Sequence, residues 1–527
     1  MDSASPHDVQ QSAGIAQPRA SFYRRSIGEP GPFDLLVPSH ARIGGLIAAA
    51  AGVSVGVFSW YALASRGGLS AGLSEFAFLA FIVGAVAAAF AQWHLYAYFI
   101  ARWCRIDRKE LLRADSYSLL PLLGLWLYLL QVPATLMSAS ALAVIVLLGV
   151  VAVKLGVLAW FVRSVRAVGA VFLATRIPLM IIAPLAAIFI GQRAGHHWTS
   201  GRGVMLDVWG RWDAQHYISI ATRGYHGTDV AFFPLYPFLI HLLGGWLGDH
   251  LVGGLIISNL AFLVALAYFY ALVKLEYGDE SIAYHAIFYI AIFPTAIFFS
   301  AVYTESLFLA LTVASVYYAR HGNFITSGVF GALASLTRVE GVLIALPLIY
   351  EIWQAWRQRR GTTLLRGVIG LCIVPLGLLT YMGYLYALVG DPLYFSRVQS
   401  SWNRHLAAPW VAFHNTFKEI AHRSMSSSVT VNHLIELAFT VMFVALLVVA
   451  FRRLRFSYAL YFAVSLLVPL STASLMSMPR FVLVVFPAFM LLALWGQRPV
   501  INSAMVSLSL PILGLFTVLY ADWYWLA

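Results

Sequence analysis

The sequence predicts an all-α protein that crosses a membrane many times, and three observations carry that prediction. Hydrophobic residues fill 61% of the 527 positions and charged residues only 11%, far below the quarter usual in a soluble domain, so lipid is the solvent for most of the chain. Apolar runs of bilayer length recur along it. Polar and aromatic residues gather in the short loops between those runs, where a membrane protein keeps its working surface.

Taken in order, runs at 43–64, 76–101, 141–162, 167–191, 251–273, 368–389, 434–451 and 500–520 are each long enough to span. In hydrocarbon each can satisfy its backbone only as a helix. Shorter runs at 119–132, 282–302, 307–318, 324–336, 341–352, 459–470 and 481–495 bring the expectation to about fifteen spans. The helices at 324–336 and 341–352 are alternatively re-entrant, which removes two crossings together and leaves the parity unchanged. Residues 1–40 are polar and rich in Pro, Ser and Gly, the composition of a disordered tail and not of a cleaved signal.

The formal charge of +12 does not point to nucleic acid, because the basic residues fall in loops between spans, as positive-inside bias requires. Cys104 and Cys372 stand alone, without the spacing of a disulfide framework or a metal site. Basic clusters at 24–42, 102–113, 163–166, 357–360 and 452–455 set the cytoplasmic side. Threading the chain through them gathers 192–230, 303–305, 338–340, 390–431 and 471–480 on the opposite face. The expected organisation is a cytoplasmic tail at 1–40, an accessory four-helix membrane module at 41–165 and a catalytic membrane domain at 166–527, with no internal repeat.

The densest polar cluster is Arg211-Trp212-Asp213-Ala214-Gln215-His216-Tyr217, followed by Phe232-Phe233-Pro234-Leu235-Tyr236-Pro237. A carboxylate at a membrane edge can take the proton of a weakly nucleophilic hydroxyl, which makes Asp213 a candidate base; a helix cap or a salt bridge with Arg211 is the plainer alternative. His216, three positions on, shares a helical face with Asp213, and either meets substrate or packs. A metal is not predicted, since the segment has no recognisable ligand spacing, although His226 and Asp229 lie in the same loop. Arg338, Arg397, Arg404 and Arg480 sit in the extracytoplasmic loops against the charge bias. Their planar forks suit phosphate oxygens, with snorkelling toward headgroups as the alternative. Glu305 either faces substrate or belongs to a capped helix start. The Trp, Tyr and Phe of 212–238 and 394–410, Trp212, Tyr217 and Tyr236 among them, suit apolar walls for a polyprenyl chain and stacking faces for a sugar ring, and an interfacial aromatic belt equally.

These blocks resemble the PIG-V family of membrane mannosyltransferases, which carries a W-D-x-x-H-Y element and then F-F-P-x-Y-P. The resemblance continues through 293–309, 334–351, 390–402 and 477–489, covering about 167–497. The chain departs from it at Val339-Glu340, and residues 1–165 have no counterpart. The resemblance implies a GT-C-type helical bundle in which Asp213 is the catalytic base of an inverting transfer. The implied donor is a polyprenyl-phosphate-linked hexose, mannose by resemblance alone; the acceptor is an extracytoplasmic glycan or glycolipid. Arg211, Trp212, His216, Tyr217, Tyr236, Glu305, Arg338, Arg397, Arg404 and Arg480 are the candidate substrate-binding residues, and no cofactor is required. Besides these substrates the partners are membrane lipids. The setting is a bacterial plasma membrane, with the endoplasmic reticulum as the alternative. The competing readings are a transporter or flippase of an anionic lipid-linked sugar, which predicts polar residues on both faces or at mid-membrane, and an inactive assembly scaffold.

Overall fold

A computed structural model describes residues 163–190, 200–358, 363–402 and 404–525. The tail at 1–40 and the spans expected before residue 163 lie outside the described residues. Every element among the described residues is helical. The main helices are α1 (Arg163–Phe189), α2 (Asp213–Arg223), α3 (Leu235–Leu247), α4 (His250–Tyr277), α5 (Glu280–Ala291), α6 (Glu305–Arg320) and α7 (Phe324–Thr337). They continue with α8 (Ala345–Gln358), α9 (Thr363–Val389), α10 (Pro409–His422), α11 (Ser428–Arg453), α12 (Phe456–Leu470), α13 (Phe486–Trp495) and α14 (Pro499–Ala521).

Among the described residues, α1, α4, α9, α11 and α14 are each long and apolar enough to cross a bilayer alone, so the protein is an integral membrane protein. Their outward faces carry exposed apolar side chains such as Leu173, Ile177 and Ile181 of α1 and Val441 and Val448 of α11, as lipid contact requires. The turn at Met478–Val484 and α13 pass the same test only together, with a bend of 78° between them. Six other apolar runs are therefore short helices: α5, α6, α7, α8, α12 and α13 have 10 to 16 residues each, about 15–24 Å at the α-helical rise. They are short because each stops at a polar region sunk between the long helices.

Two irregular stretches run at that depth, 292–304 and 471–485. Backbone away from water needs internal partners, and here buried side chains supply them. Arg176, midway along α1, donates to the carbonyls of Ala291 (2.6 Å) and Ala296 (2.7 Å). It thereby caps the end of α5 and lies over Phe262, 4.8 Å from the ring centre. Thr295 Oγ1 donates to the Pro479 carbonyl at 2.8 Å and ties the two stretches together.

The tightest helix pair is α7 against α9. A Cβ on Gly328 would collide with the Gly370 carbonyl, and one on Gly370 with the Phe324 carbonyl; small residues let the two backbones touch, the usual means of helix association in lipid. At the bundle end away from the irregular stretches, a buried charge network joins four helices. Glu351 of α8 accepts from Arg455 Nε (2.7 Å) and Nη2 (2.9 Å) and from Ser457 of α12 (2.6 Å). Arg320 at the end of α6 pairs with Glu351 (3.3 Å) and with Glu276 of α4 (2.5 Å). Glu305 begins α6 and Arg320 ends it, so this network and the polar region around Glu305 are about 22 Å apart along one helix.

Candidate active site

Asp213 opens α2, an amphipathic helix that buries Ala214, Tyr217, Ile220 and Ala221. Immediately before it, Trp212 has φ 57° and ψ −125°, backbone that a bulky residue enters only at a cost. The surrounding aromatic packing holds it there: the Trp212 ring stands edge-on to Trp523 (5.6 Å) and Trp525 (5.3 Å).

The Asp213 carboxylate receives Arg480 Nη1 at 2.6 Å. Arg480 Nε lies 3.4 Å from Glu305, and Arg338 Nη1 donates to the same Glu305 oxygen at 3.0 Å. Glu340 stands 3.5 Å from Arg338 Nε. Three guanidinium groups crowd the ring of Phe481, with Arg404 at 5.1 Å, Arg338 at 5.3 Å and Arg480 at 5.6 Å from its centre. Glu305 is 1% exposed, and its second oxygen has no hydrogen-bond partner. A crevice bounded by Phe308, Arg338, Glu340, Ser465, Phe481 and Val484 has room for about one water molecule.

Arg404 differs from the other two arginines. It makes no ion pair among the described residues; Nη2 donates to the Met476 carbonyl at 3.0 Å and its buried Nε has no partner. Burial, and then the charge of Arg480, push its pKa down to about 10. Tyr217 lies on the other side, its hydroxyl 3.4 Å from Thr304. Burial first, then Glu305 and Asp213, raise its pKa, so the phenol stays protonated and able to donate.

The structure thus brings Asp213, Glu305, Arg338, Arg404, Arg480 and Tyr217 into one region. His216 is turned elsewhere: Nδ1 meets Asp229 at 2.7 Å, and the ring stacks on Phe232 at 4.5 Å with Trp402 at its edge. Arg397 stands apart, exposed and paired with Asp391 at 3.1 Å. Tyr236 is fully buried behind Tyr217, bonded to Ser258 at 2.6 Å, where it supports the site without lining it. Arg211 is buried with its guanidinium 5.1 Å from the centre of Trp523. Its backbone carbonyl accepts from Tyr303 at 3.1 Å.

Nothing in the sequence singles out Phe481, Asp522, Trp523 and Trp525, which are ordinary lipid-interface residues until the chain folds, whereas Trp402 falls in the aromatic stretch 394–410 expected to line the site. Among the described residues no group of three or more His, Cys, Asp or Glu is placed to share a metal ion. No curated protein and no solved structure matches the chain. The family model described as Mannosyltransferase (PIG-V) matches residues 202–389, a narrower stretch than the resemblance at 167–497, and over that stretch the chain is similar to these membrane mannosyltransferases.

Proposed function

We propose that this site transfers a mannosyl group from a polyprenyl-phosphate donor to a hydroxyl of an extracytoplasmic glycan or lipid acceptor, with inversion at the anomeric carbon. The observation that carries the reading is the contact of Asp213 with Arg480 inside a cluster of three arginines, one of which lacks a carboxylate. The acceptor oxygen forms the new bond to the anomeric carbon while the bond from that carbon to the phosphate oxygen breaks. Asp213 takes the hydroxyl proton, and the polyprenyl phosphate leaves with the bonding pair. Its charge grows as the bond breaks, so Arg404 and Arg480 stabilise the transition state more than the ground state. Arg480 serves both ends of the reaction: as it turns toward the donor phosphate it releases the carboxylate that acts as base. Glu305, itself held by Arg338, keeps Arg480 in reach. The positive-inside charge pattern supports placing the site on the extracytoplasmic face of a bacterial plasma membrane.

The test compares wild type with Asp213→Asn, purified in detergent, against a panel of polyprenyl-phosphate hexoses with a crude lipid and glycan extract as acceptor. Without compartments, product formation cannot be transport. The variant is expected to stay folded and to lose on the order of a hundredfold or more in kcat. Equal activity of both proteins removes Asp213 from the chemistry, and movement of a labelled sugar lipid in vesicles without any glycosidic product favours a transporter.

A further inference from the structure

The segment that follows α14 lies outside the family match at 202–389, yet it lies against the residues just before Asp213. Trp523 is 4% exposed, itself has φ 65°, and carries the Arg211 guanidinium over its ring at 5.1 Å. Trp525 has Arg480 at 5.4 Å from its ring centre and Trp212 edge-on at 5.3 Å. The Trp525 carbonyl is anchored to α11 by Asn432 Nδ2 at 2.8 Å. Asp522, 3% exposed, is the carboxylate at the start of this segment that attracts Arg211.

One short segment therefore touches both flanks of the Asp213–Arg480 pair: the residue whose left-handed backbone aims Asp213, and the arginine that meets its carboxylate. Neither contact is needed to close a helix, and Trp212 could relax to an ordinary φ if nothing held its ring. From this geometry we infer that residues 522–525 are a positioning strap, with Trp525 fixing Trp212 and Arg480 and through them the orientation of Asp213. The inference rests on the transfer reading for its catalytic consequence, although the positioning itself does not.

The experiment uses the full chain in detergent with Trp525→Ala, Trp525→Phe and Asn432→Ala. The last keeps every ring and frees only the backbone anchor, so it decides the matter if Trp525→Ala does not fold. Hydrogen–deuterium exchange is followed in the peptide covering 208–217, and transfer kinetics on the same samples. The expected result for Trp525→Ala and Asn432→Ala is exchange at 211–216 faster by about tenfold or more. With it kcat falls by on the order of tenfold to a hundredfold, as for a misplaced reacting group, with donor KM held within about twofold. Trp525→Phe, which keeps a ring, should restore most of both.

Unchanged exchange in Trp525→Ala and Asn432→Ala overturns the strap, as does a rise in KM at constant kcat. Failure of Phe to rescue also overturns it. If wild type transfers no hexose from any polyprenyl phosphate, the transfer reading falls, and the exchange result alone upholds or overturns the strap.

Discussion

Replacing Arg404 by Gln should separate function from stability in a way that the neighbouring arginines cannot. In the empty site Arg404→Gln loses one hydrogen bond, to the Met476 carbonyl, worth about 1 kcal/mol, and the cation–π contact with Phe481, worth about 1 kcal/mol. Against that, a buried guanidinium with an unpartnered Nε and no ion pair is removed, and relief of an unsatisfied buried polar group is worth about 1–3 kcal/mol. The melting temperature in detergent should therefore hold steady. On the proposed reading, the same side chain supplies the bound donor phosphate with charge-assisted hydrogen bonds of about 1.5–3 kcal/mol. A monophosphate gaining charge strengthens them further, so kcat/KM should fall roughly thirtyfold to a thousandfold, or about 2–4 kcal/mol. Arg480→Gln behaves oppositely in the empty protein. It strands Asp213 and weakens the ring of charge around Glu305, where breaking a buried pair costs about 3–5 kcal/mol. Thermal melts and initial-rate kinetics on the two variants make the comparison. If Arg404→Gln is destabilised as much as Arg480→Gln, or keeps wild-type kcat/KM toward the phosphate donor, Arg404 is structural and the assignment of the phosphate site is wrong.

Because Arg404 titrates near pH 10 and binds an anion only when protonated, donor KM should be flat below about pH 9 and rise as pH passes about 10. In Arg404→Gln that rise should vanish, and its persistence would assign it to another group. Glu351→Gln, at the far end of the bundle, removes the acceptor shared by Arg320, Arg455 and Ser457 and should cost about 3–5 kcal/mol of stability. The folded fraction should keep wild-type donor KM, so a changed KM would mean that the two ends are coupled. Gly370→Ala drives a Cβ into the Phe324 carbonyl and should lower stability by about 1–3 kcal/mol; an unchanged melting temperature would show that α7 and α9 can separate without loss.

Much of this arrangement is legible in the chain because lipid imposes a simple rule on sequence. The apolar runs at 167–191, 251–273, 368–389, 434–451 and 500–520 coincide with α1, α4, α9, α11 and α14, since a run that must bond its own backbone has no other option. Counting charges in the loops then gathers Asp213, Glu305, Arg338, Arg404 and Arg480 toward one end. What the rule cannot supply is which polar group meets which. Arg480 and Asp213 are 267 positions apart, and helical spacing favours His216 as the neighbour of Asp213. The fold instead gives His216 to Asp229, on the loop that follows α2. Arg176 reads as an isolated charge in an apolar run until α5 is seen to end against it. The run at 282–302 carries a break signal only in Pro294, which a membrane helix can tolerate, so its apolar composition reads as one span. Trp523 and Trp525 carry the composition of any interfacial belt, and only their contacts set them apart from one.

The charge pattern of the site bears on how a donor would bind. The carboxylates of Asp213, Glu305 and Glu340 face the guanidinium groups of Arg338, Arg404 and Arg480, so the formal charges cancel and the resting site is no preformed positive hole. A phosphate entering such a site cannot rely on net attraction; Arg404 is open to it, but any second cation has to be taken away from a carboxylate. Arg338 is held by Glu305 and Glu340 together, and Arg404 has no carboxylate to give up. Arg480 is the one whose transfer alters the chemistry, because its strongest contact is with Asp213. On the proposed reading, donor binding and release of the base are therefore one event. An acceptor hydroxyl arriving first would find its base occupied by Arg480, and productive binding should be ordered, donor before acceptor. Dead-end inhibition with a non-transferable polyprenyl phosphate checks this. The analogue should compete with donor and leave acceptor binding intact or stronger. Acceptor that binds the free protein and competes with the analogue would mean that Arg480 does not move between the two.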